Sequence, residues 1–320
     1  MQFTPKHFNP AKSGKSSGER ITCRFKDAKG EVSSLYVYEP RIVLALNVAL
    51  AAGRPLLLAG EPGCGKTTLA RNVAKVLGWW YHQQTVSSRT QASDLLWEFD
   101  TLRRLNDAYV RHRDVLDDGY YVEPGCLWWA LAPESAAMRG MAAMEHEKYR
   151  LKNPGESGST NAAVVLIDEI DKAEPDVPND LLEILDTRSF KVRDEPIAAT
   201  RERSLVILTT NGERDLPGAF QRRCVTYRFP EPDAAWFVEV ANRWHPDQPA
   251  ADKQAVAQRL VDSRAKARQA GHRLPGTAEY LDALKAFWDL GLSVDSPDWQ
   301  ELERCVFEKQ ATLDQPRPAA

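Results

Sequence analysis

Gly60-Glu-Pro-Gly-Cys-Gly-Lys-Thr67 fits the pattern G-x-x-x-x-G-K-[ST], and its flanks decide how it is read. Pro55 to Ala59 (PLLLA) ahead of it is short and apolar, as a buried parallel strand is. Thr67 to Leu77 behind it carries helical periodicity. Strand, glycine-rich turn and helix in this order let backbone N–H groups curl around phosphates, and the helix N-terminus adds partial positive charge. In such a loop Lys66 reaches the β- and γ-phosphates, and the Thr67 hydroxyl ligates Mg²⁺. Gly60, Glu61, Pro62, Gly63, Cys64, Gly65, Lys66, Thr67 and Thr68 are the candidate nucleotide-binding residues. A second G-K-S, Gly14-Lys15-Ser16, has Asn9 where the first glycine belongs and no strand ahead of it, so it reads as solvated linker.

The alternation continues outward. Ile42, Val43, Leu46 and Leu50 recur at helical spacing and lead to Gly53. Strands are predicted at Tyr81 to Val86, Ala163 to Ile167 (AVVLI), Leu205 to Thr209 (LVILT) and Val225 to Phe229, with a helix over Asn179 to Thr187. Pro175 and Pro178 lie just before that helix, where proline is tolerated. Strand, helix, strand in series implies a parallel sheet with helices on both faces. After Pro230-Glu231-Pro232 the pattern turns purely helical: Trp236 to Trp244, Asp252 to Ala270, Thr277 to Leu290 and Trp299 to Thr312. The expected fold is α/β, a parallel sheet flanked by helices, followed by a small all-α domain. The expected boundaries are 1–36 for a partly flexible N-terminal extension, 37–232 for the α/β domain, 233–313 for the helical domain and 314–320 for a tail. Asn9 to Arg20 (NPAKSGKSSGER) is Ser-, Gly- and Lys-rich and reads as flexible.

Bulk composition narrows the function classes. At 320 residues the chain is long enough for a large α/β domain plus a smaller one. The net charge of −3 and pI near 6.1 argue against a nucleic-acid or membrane partner held by bulk electrostatics. Five dispersed cysteines (Cys23, Cys64, Cys126, Cys224, Cys305) argue against a disulfide framework or a zinc site. The first ten residues lack the apolar core of a signal peptide, and the apolar run Ile42 to Ala52 is too short for a membrane span and contains Asn47. A cytoplasmic protein without membrane insertion is expected.

Two further strand ends carry chemistry. Asp168 follows Leu166-Ile167, where a carboxylate can hold the shell of Mg²⁺, and the adjacent Glu169 can polarise an attacking water. Asp171 and Glu174 follow closely, so a solvated acidic turn is the plain alternative for that segment alone. Asn211 ends Leu208-Thr209-Thr210-Asn211, where its amide can bond both a γ-phosphate and the attacking water, although Asn211-Gly212 is also simply a good turn.

Taken in order, GEPGCGKT, VVLIDEID, ILTTN and LPGAFQRRC resemble the AAA+ superfamily of P-loop ATPases, and specifically its MoxR-like branch, from about Tyr36 to Leu290. The resemblance implies ATP and Mg²⁺ as cofactors, with Lys66 and Thr67 as Walker A, Asp168 and Glu169 as Walker B and Asn211 as sensor 1. It also implies an arginine acting on the neighbouring subunit's nucleotide. Arg223 matches the family position and Arg222 stands where the family has aspartate; a solvated helix end is the plain reading of both. Residues 87–161, with Asp94-Leu-Leu-Trp-Glu-Phe-Asp100 and Glu123-Pro-Gly-Cys-Leu-Trp-Trp129, resemble the branch's helix-two insert. Phe190 to Arg203, within about 189–203, resembles its pre-sensor-1 hairpin. Core packing is the expected role of Trp128 and Trp129. The branch's sensor-2 arginine would align with Ala278; either Arg273 substitutes for it or the coupling to the γ-phosphate is weaker.

What the resemblance implies about function is a ring of the chain's own copies, six by family likeness, remodelling or activating a protein partner. Branch members work beside an adaptor, often one with a von Willebrand A domain. A nucleic-acid translocase and a slow nucleotide-gated switch are the competing readings. The acidic pI and the lack of a basic-aromatic stretch stand against the first. The pairing of Glu169 with Lys66, Asp168, Asn211 and Arg223 stands against the second.

Overall fold

The computed structural model describes residues 4–27, 29–30, 32–111, 117–141, 150–294 and 296–309. It opens on a three-stranded antiparallel sheet, β1 (Lys15–Ser17), β2 (Arg20–Lys26) and β3 (Val32–Tyr38). The end of Asn9 to Arg20, a stretch expected to be flexible, is thus paired: Lys15 faces Thr22 and Ser17 faces Arg20, and the hairpin turns at Gly18, whose φ of 61° suits glycine. Composition missed the strand because its order comes from pairing, Lys15, Ser16 and Ser17 facing Thr22, Ile21 and Arg20. The Asn72 amide donates to Ser34 Oγ at 2.8 Å and its carbonyl accepts from Tyr38 Oη at 2.9 Å. Asn47, on α1 (Pro40–Ala52), accepts from the backbone N–H of Lys6, His7 and Phe8 and donates to the Phe8 carbonyl at 2.8 Å. That buried amide, which interrupts an apolar run in the sequence, fastens Lys6, His7 and Phe8 to the helix.

Then come β4 (Leu56–Ala59), α2 (Lys66–Leu77) and β5 (Trp80–Thr85), followed by the long insert. The insert contains β6 (Trp97–Phe99), α3 (Thr101–Arg111), β7 (Val122–Pro124), α4 (Cys126–Leu131) and α5 (Pro133–Ala137), with β6 and β7 antiparallel. Trp128 and Trp129 are buried, as core packing requires, with the indole of Trp128 edge-on to Phe190. Next are β8 (Ala162–Asp168), α6 (Val177–Thr187), the hairpin β9 (Ser189–Val192) and β10 (Glu195–Ala198), β11 (Arg203–Thr210), α7 (Gly218–Arg223) and β12 (Val225–Arg228).

Five of these strands form one parallel sheet in the order β12-β4-β11-β8-β5. From Ala162 to Ile167 every residue of β8 is buried, because helices cover both faces of a parallel sheet. Each fully buried Val, Leu or Ile there contributes on the order of 1.5–3 kcal/mol relative to exposure. The buried run of β8 ends on Asp168 and that of β11 on Thr209-Thr210, at the carboxyl ends of the strands, and this is where a doubly covered sheet presents chemistry.

The chain divides into two units, Met1–Ala59 with Thr67–Arg228, and Gly60–Lys66 with Phe229–Ala320. The second contains the helices α8 (Ala234–Trp244), α9 (Ala250–Gln269), α10 (Thr277–Asp289) and α11 (Pro297–Val306), around a core of Phe237, Leu260, Tyr280, Leu284 and Trp299. The expected tail 314–320 lies outside the described residues, as do 310–312 at the end of the expected last helix.

Candidate functional site

Gly60 to Lys66 curls as the sequence motif requires. Gly63 and Gly65 hold φ of 81° and 93°, a region closed to ordinary side chains, so any other residue at either position would be strained. Lys66 is the first residue of α2 and is buried; its Nζ donates to the carbonyls of Gly60 at 2.6 Å and Glu61 at 2.9 Å. The ammonium is thereby held over the loop's own backbone. Cys64 is buried beside it, and burial pushes its thiol pKa up, so it stays a neutral packing group.

The next residue begins a second network, at the ends of β8 and β11. Thr67 Oγ1 donates to Asp168 Oδ2 at 2.8 Å, and Thr209 Oγ1 donates to Asp168 Oδ1 at 2.5 Å. Glu169 follows in the left-handed region at φ 61°, unusual for a residue with a Cβ, and its N–H donates to Thr209 Oγ1 at 2.8 Å. One hydroxyl therefore fixes both acids, donating to the first and accepting from the backbone of the second. The Glu169 carboxylate accepts from Asn211 Nδ2 at 3.2 Å and from Lys172 Nζ at 2.8 Å. That hydrogen bond, ahead of the charges nearby, holds the Lys172 ammonium above its ordinary pKa.

Asp171 is a scaffold. It is buried, and its Oδ2 accepts the N–H groups of Asn211 at 3.1 Å and Glu213 at 2.9 Å, tying the turn after β11 to the turn after β8. A solvated acidic turn was the plain reading of this segment; Asp171 departs from it because it is buried and two backbone donors bind its Oδ2.

Asp168, Glu169, Asn211 and Thr67 thus come together. Arg222 and Arg223 do not join them: both are exposed at the end of α7, and Arg223 pairs with Asp186 at 3.2 Å. Arg273 is exposed before α10, 3.8 Å from Glu279, while Ala278 lies in the first turn of that helix. Sequence reasoning passed over Thr209, Arg264 and Arg268. Thr209 could have been noticed as a hydroxyl inside an apolar strand. Nothing distinguishes the two arginines from Arg259 or Lys266 on the same helix until Glu61 is seen between them, Oε2 accepting from Arg264 and Oε1 from Arg268 at 3.1 Å.

The family described as AAA domain (dynein-related subfamily) matches residues 55–224, more than half of the chain. A stretch of 56 residues, 18% of the chain, is 41% identical to Midasin of Giardia intestinalis. The chain matches only 1% of that protein's length. Among solved structures, a candidate ATPase from Cytophaga hutchinsonii has 16% identity and a TM-score of 0.42, over 70% of this chain and 58% of that one. A RuvB point mutant from Thermotoga maritima has 17% identity and a TM-score of 0.42, over 90% of this chain and 81% of that one.

Proposed function

The chain belongs to the AAA domain family, in its dynein-related subfamily, and from that premise we propose a Mg²⁺-dependent ATPase of the MoxR-like kind. It works as a ring of its own copies, six by likeness to that branch, and remodels a protein partner alongside an adaptor of the von Willebrand A type. The observation that carries the chemistry is the hydroxyl–carboxylate network of Thr67, Asp168, Thr209 and Glu169 at the carboxyl ends of the strands.

The residues present fit the group that the family implies. Mg²⁺ takes hard oxygen donors, usually one or two carboxylates with substrate phosphates and water, and Thr67 Oγ1 and Asp168 supply such a pair 2.8 Å apart. Among the described residues no group of three or more His, Cys, Asp or Glu forms an all-protein cage. Thr67 and Asp168 would hold the ion, which would supply charge neutralisation for the developing phosphoryl charge. Lys66 exchanges its two carbonyl partners for phosphate oxygens. Glu169, positioned by Thr209 and Asn211, takes the hydrogen bond of the attacking water and orients it. Arg223, outside this network, serves the nucleotide of the neighbouring copy. Catalysis is then mainly positioning and charge neutralisation.

Calorimetry and phosphate release test this together. The wild-type chain is expected to bind and hydrolyse ATP with Mg²⁺, Lys66→Ala to lose binding, and Glu169→Gln to bind without turnover. Wild-type affinity in Lys66→Ala removes the assignment of the loop; full turnover in Glu169→Gln removes the assignment of the acid.

A further inference from the structure

Glu61 puts a negative charge inside a loop proposed to receive a triphosphate. An unmatched carboxylate there would repel the ligand. Both of its oxygens are covered, Oε2 by the guanidinium of Arg264 and Oε1 by that of Arg268 at 3.1 Å. The Arg264 side chain is only 4% exposed; its Nη1 donates to the Pro275 carbonyl at 2.5 Å, and the guanidinium lies 5.9 Å from the Phe237 ring. A guanidinium this deeply buried needs a charged partner, and Glu61 is that partner. Arg268 is shared with Glu231 at 2.5 Å, so two acids and two arginines cancel.

The backbone of the same loop is held as well. The carbonyl of Glu61 accepts from Lys66, and that of Gly63 accepts from Thr277 Oγ1 at 2.7 Å. A Cβ added at Gly63 would meet Gly276 Cα at 3.3 Å, so loop and helix start are in close contact. All these groups belong to one unit.

We propose that Arg264 and Arg268 are positioning residues of the phosphate loop, acting through the Glu61 carboxylate: they cancel its charge and hold the loop in its anion-receiving path. This rests on reading Gly60 to Thr67 as the ATP loop. The signature is a sign reversal. Removing an arginine exposes the charge of Glu61, and removing that charge as well repairs the damage. A merely structural role makes the double variant as poor as the single one, or poorer.

The test measures KM and kcat for ATP in the full chain at low and high salt, with circular dichroism to verify folding. Arg264→Met is expected to raise KM roughly ten- to hundredfold, the effect of one added unit charge near the phosphates at a half-exposed site. The rise shrinks in high salt. Adding Glu61→Gln recovers KM to within about threefold of the Glu61→Gln single variant. Arg268→Gln, with its side chain 49% exposed, follows the same pattern more weakly and serves if Arg264→Met does not fold. A KM unmoved in both arginine variants, or no repair by Glu61→Gln, overturns the proposal while the wild type still turns over ATP. A wild-type chain that binds no ATP overturns the reading beneath it and the proposal with it.

Discussion

Thr209→Val replaces a fully buried hydroxyl by a methyl of nearly the same shape and removes two hydrogen bonds at once. The bond to Asp168 has a charged acceptor and contributes about 1.5–3 kcal/mol. Leaving the Glu169 N–H without its acceptor costs about 1–3 kcal/mol more. The added methyl returns about 0.8 kcal/mol of apolar burial. The balance is a loss of about 2–5 kcal/mol, read as a lower urea midpoint at unchanged m-value. Activity suffers separately. Without its anchor, Glu169 no longer has a reason to hold φ at 61°, and its carboxylate drifts from the place Asn211 defines. A fall in kcat of tenfold or more, with KM for ATP changed less than threefold, is therefore expected, since Lys66 and its loop are untouched. Thr209→Ser keeps the hydroxyl and is expected to retain most of both. Stability within about 0.5 kcal/mol of wild type and full kcat in Thr209→Val would refute the claim that one hydroxyl organises both acids.

Other outcomes follow from the same structure. Arg223→Ala is expected to bind ATP normally and lose a factor on the order of a thousand in turnover, while Arg222→Ala loses little; a reversed pattern moves the role to Arg222. Mixing Arg223→Ala with Glu169→Gln recovers some activity if the arginine serves a neighbour. His82 is buried, and desolvation, with a smaller effect of Arg201, lowers its pKa to about 4 from 6.5. Because the unfolded chain takes up that proton first, stability is full above pH 6.5 and falls as the pH drops towards 4, by about 3 kcal/mol in total. His82→Gln flattens that slope in urea titrations over the same range; an unchanged slope would mean that another group causes it. With a net charge of −3, no DNA binding is expected to survive physiological salt, and a salt-resistant shift with DNA-stimulated turnover would favour a translocase.

The order of elements in the α/β part was legible because its signals are local. Pro55 to Ala59 and Ala163 to Ile167 are uninterrupted apolar runs, and both are buried strands, β4 and β8. Glycines stand where the backbone turns left-handed, at Gly63 and Gly65. The segment Lys15 to Lys26 was illegible for the converse reason. Its serines, lysines and arginines suit solvent as well as an exposed strand, and strand pairing, with the distant Asn72 amide donating to the Cys23 carbonyl, orders the region.

The sequence by itself determined where the candidates of the proposed chemistry stand: the residues proposed to bind phosphate, hold a metal ion or polarise water, each placed roughly relative to a strand end. Glycine-dependent turns, apolar strands and acids following them are properties of adjacent residues, so a linear reading captures them. Tertiary structure alone decided who holds whom. Thr67 meets Asp168 across 101 positions, Thr209 reaches Asp168 across 41, and Glu61 lies 203 positions from Arg264. No periodicity spans such separations. A hydrogen bond depends on a few tenths of an ångström and on a direction, and both are set only when the sheet and the helices have packed.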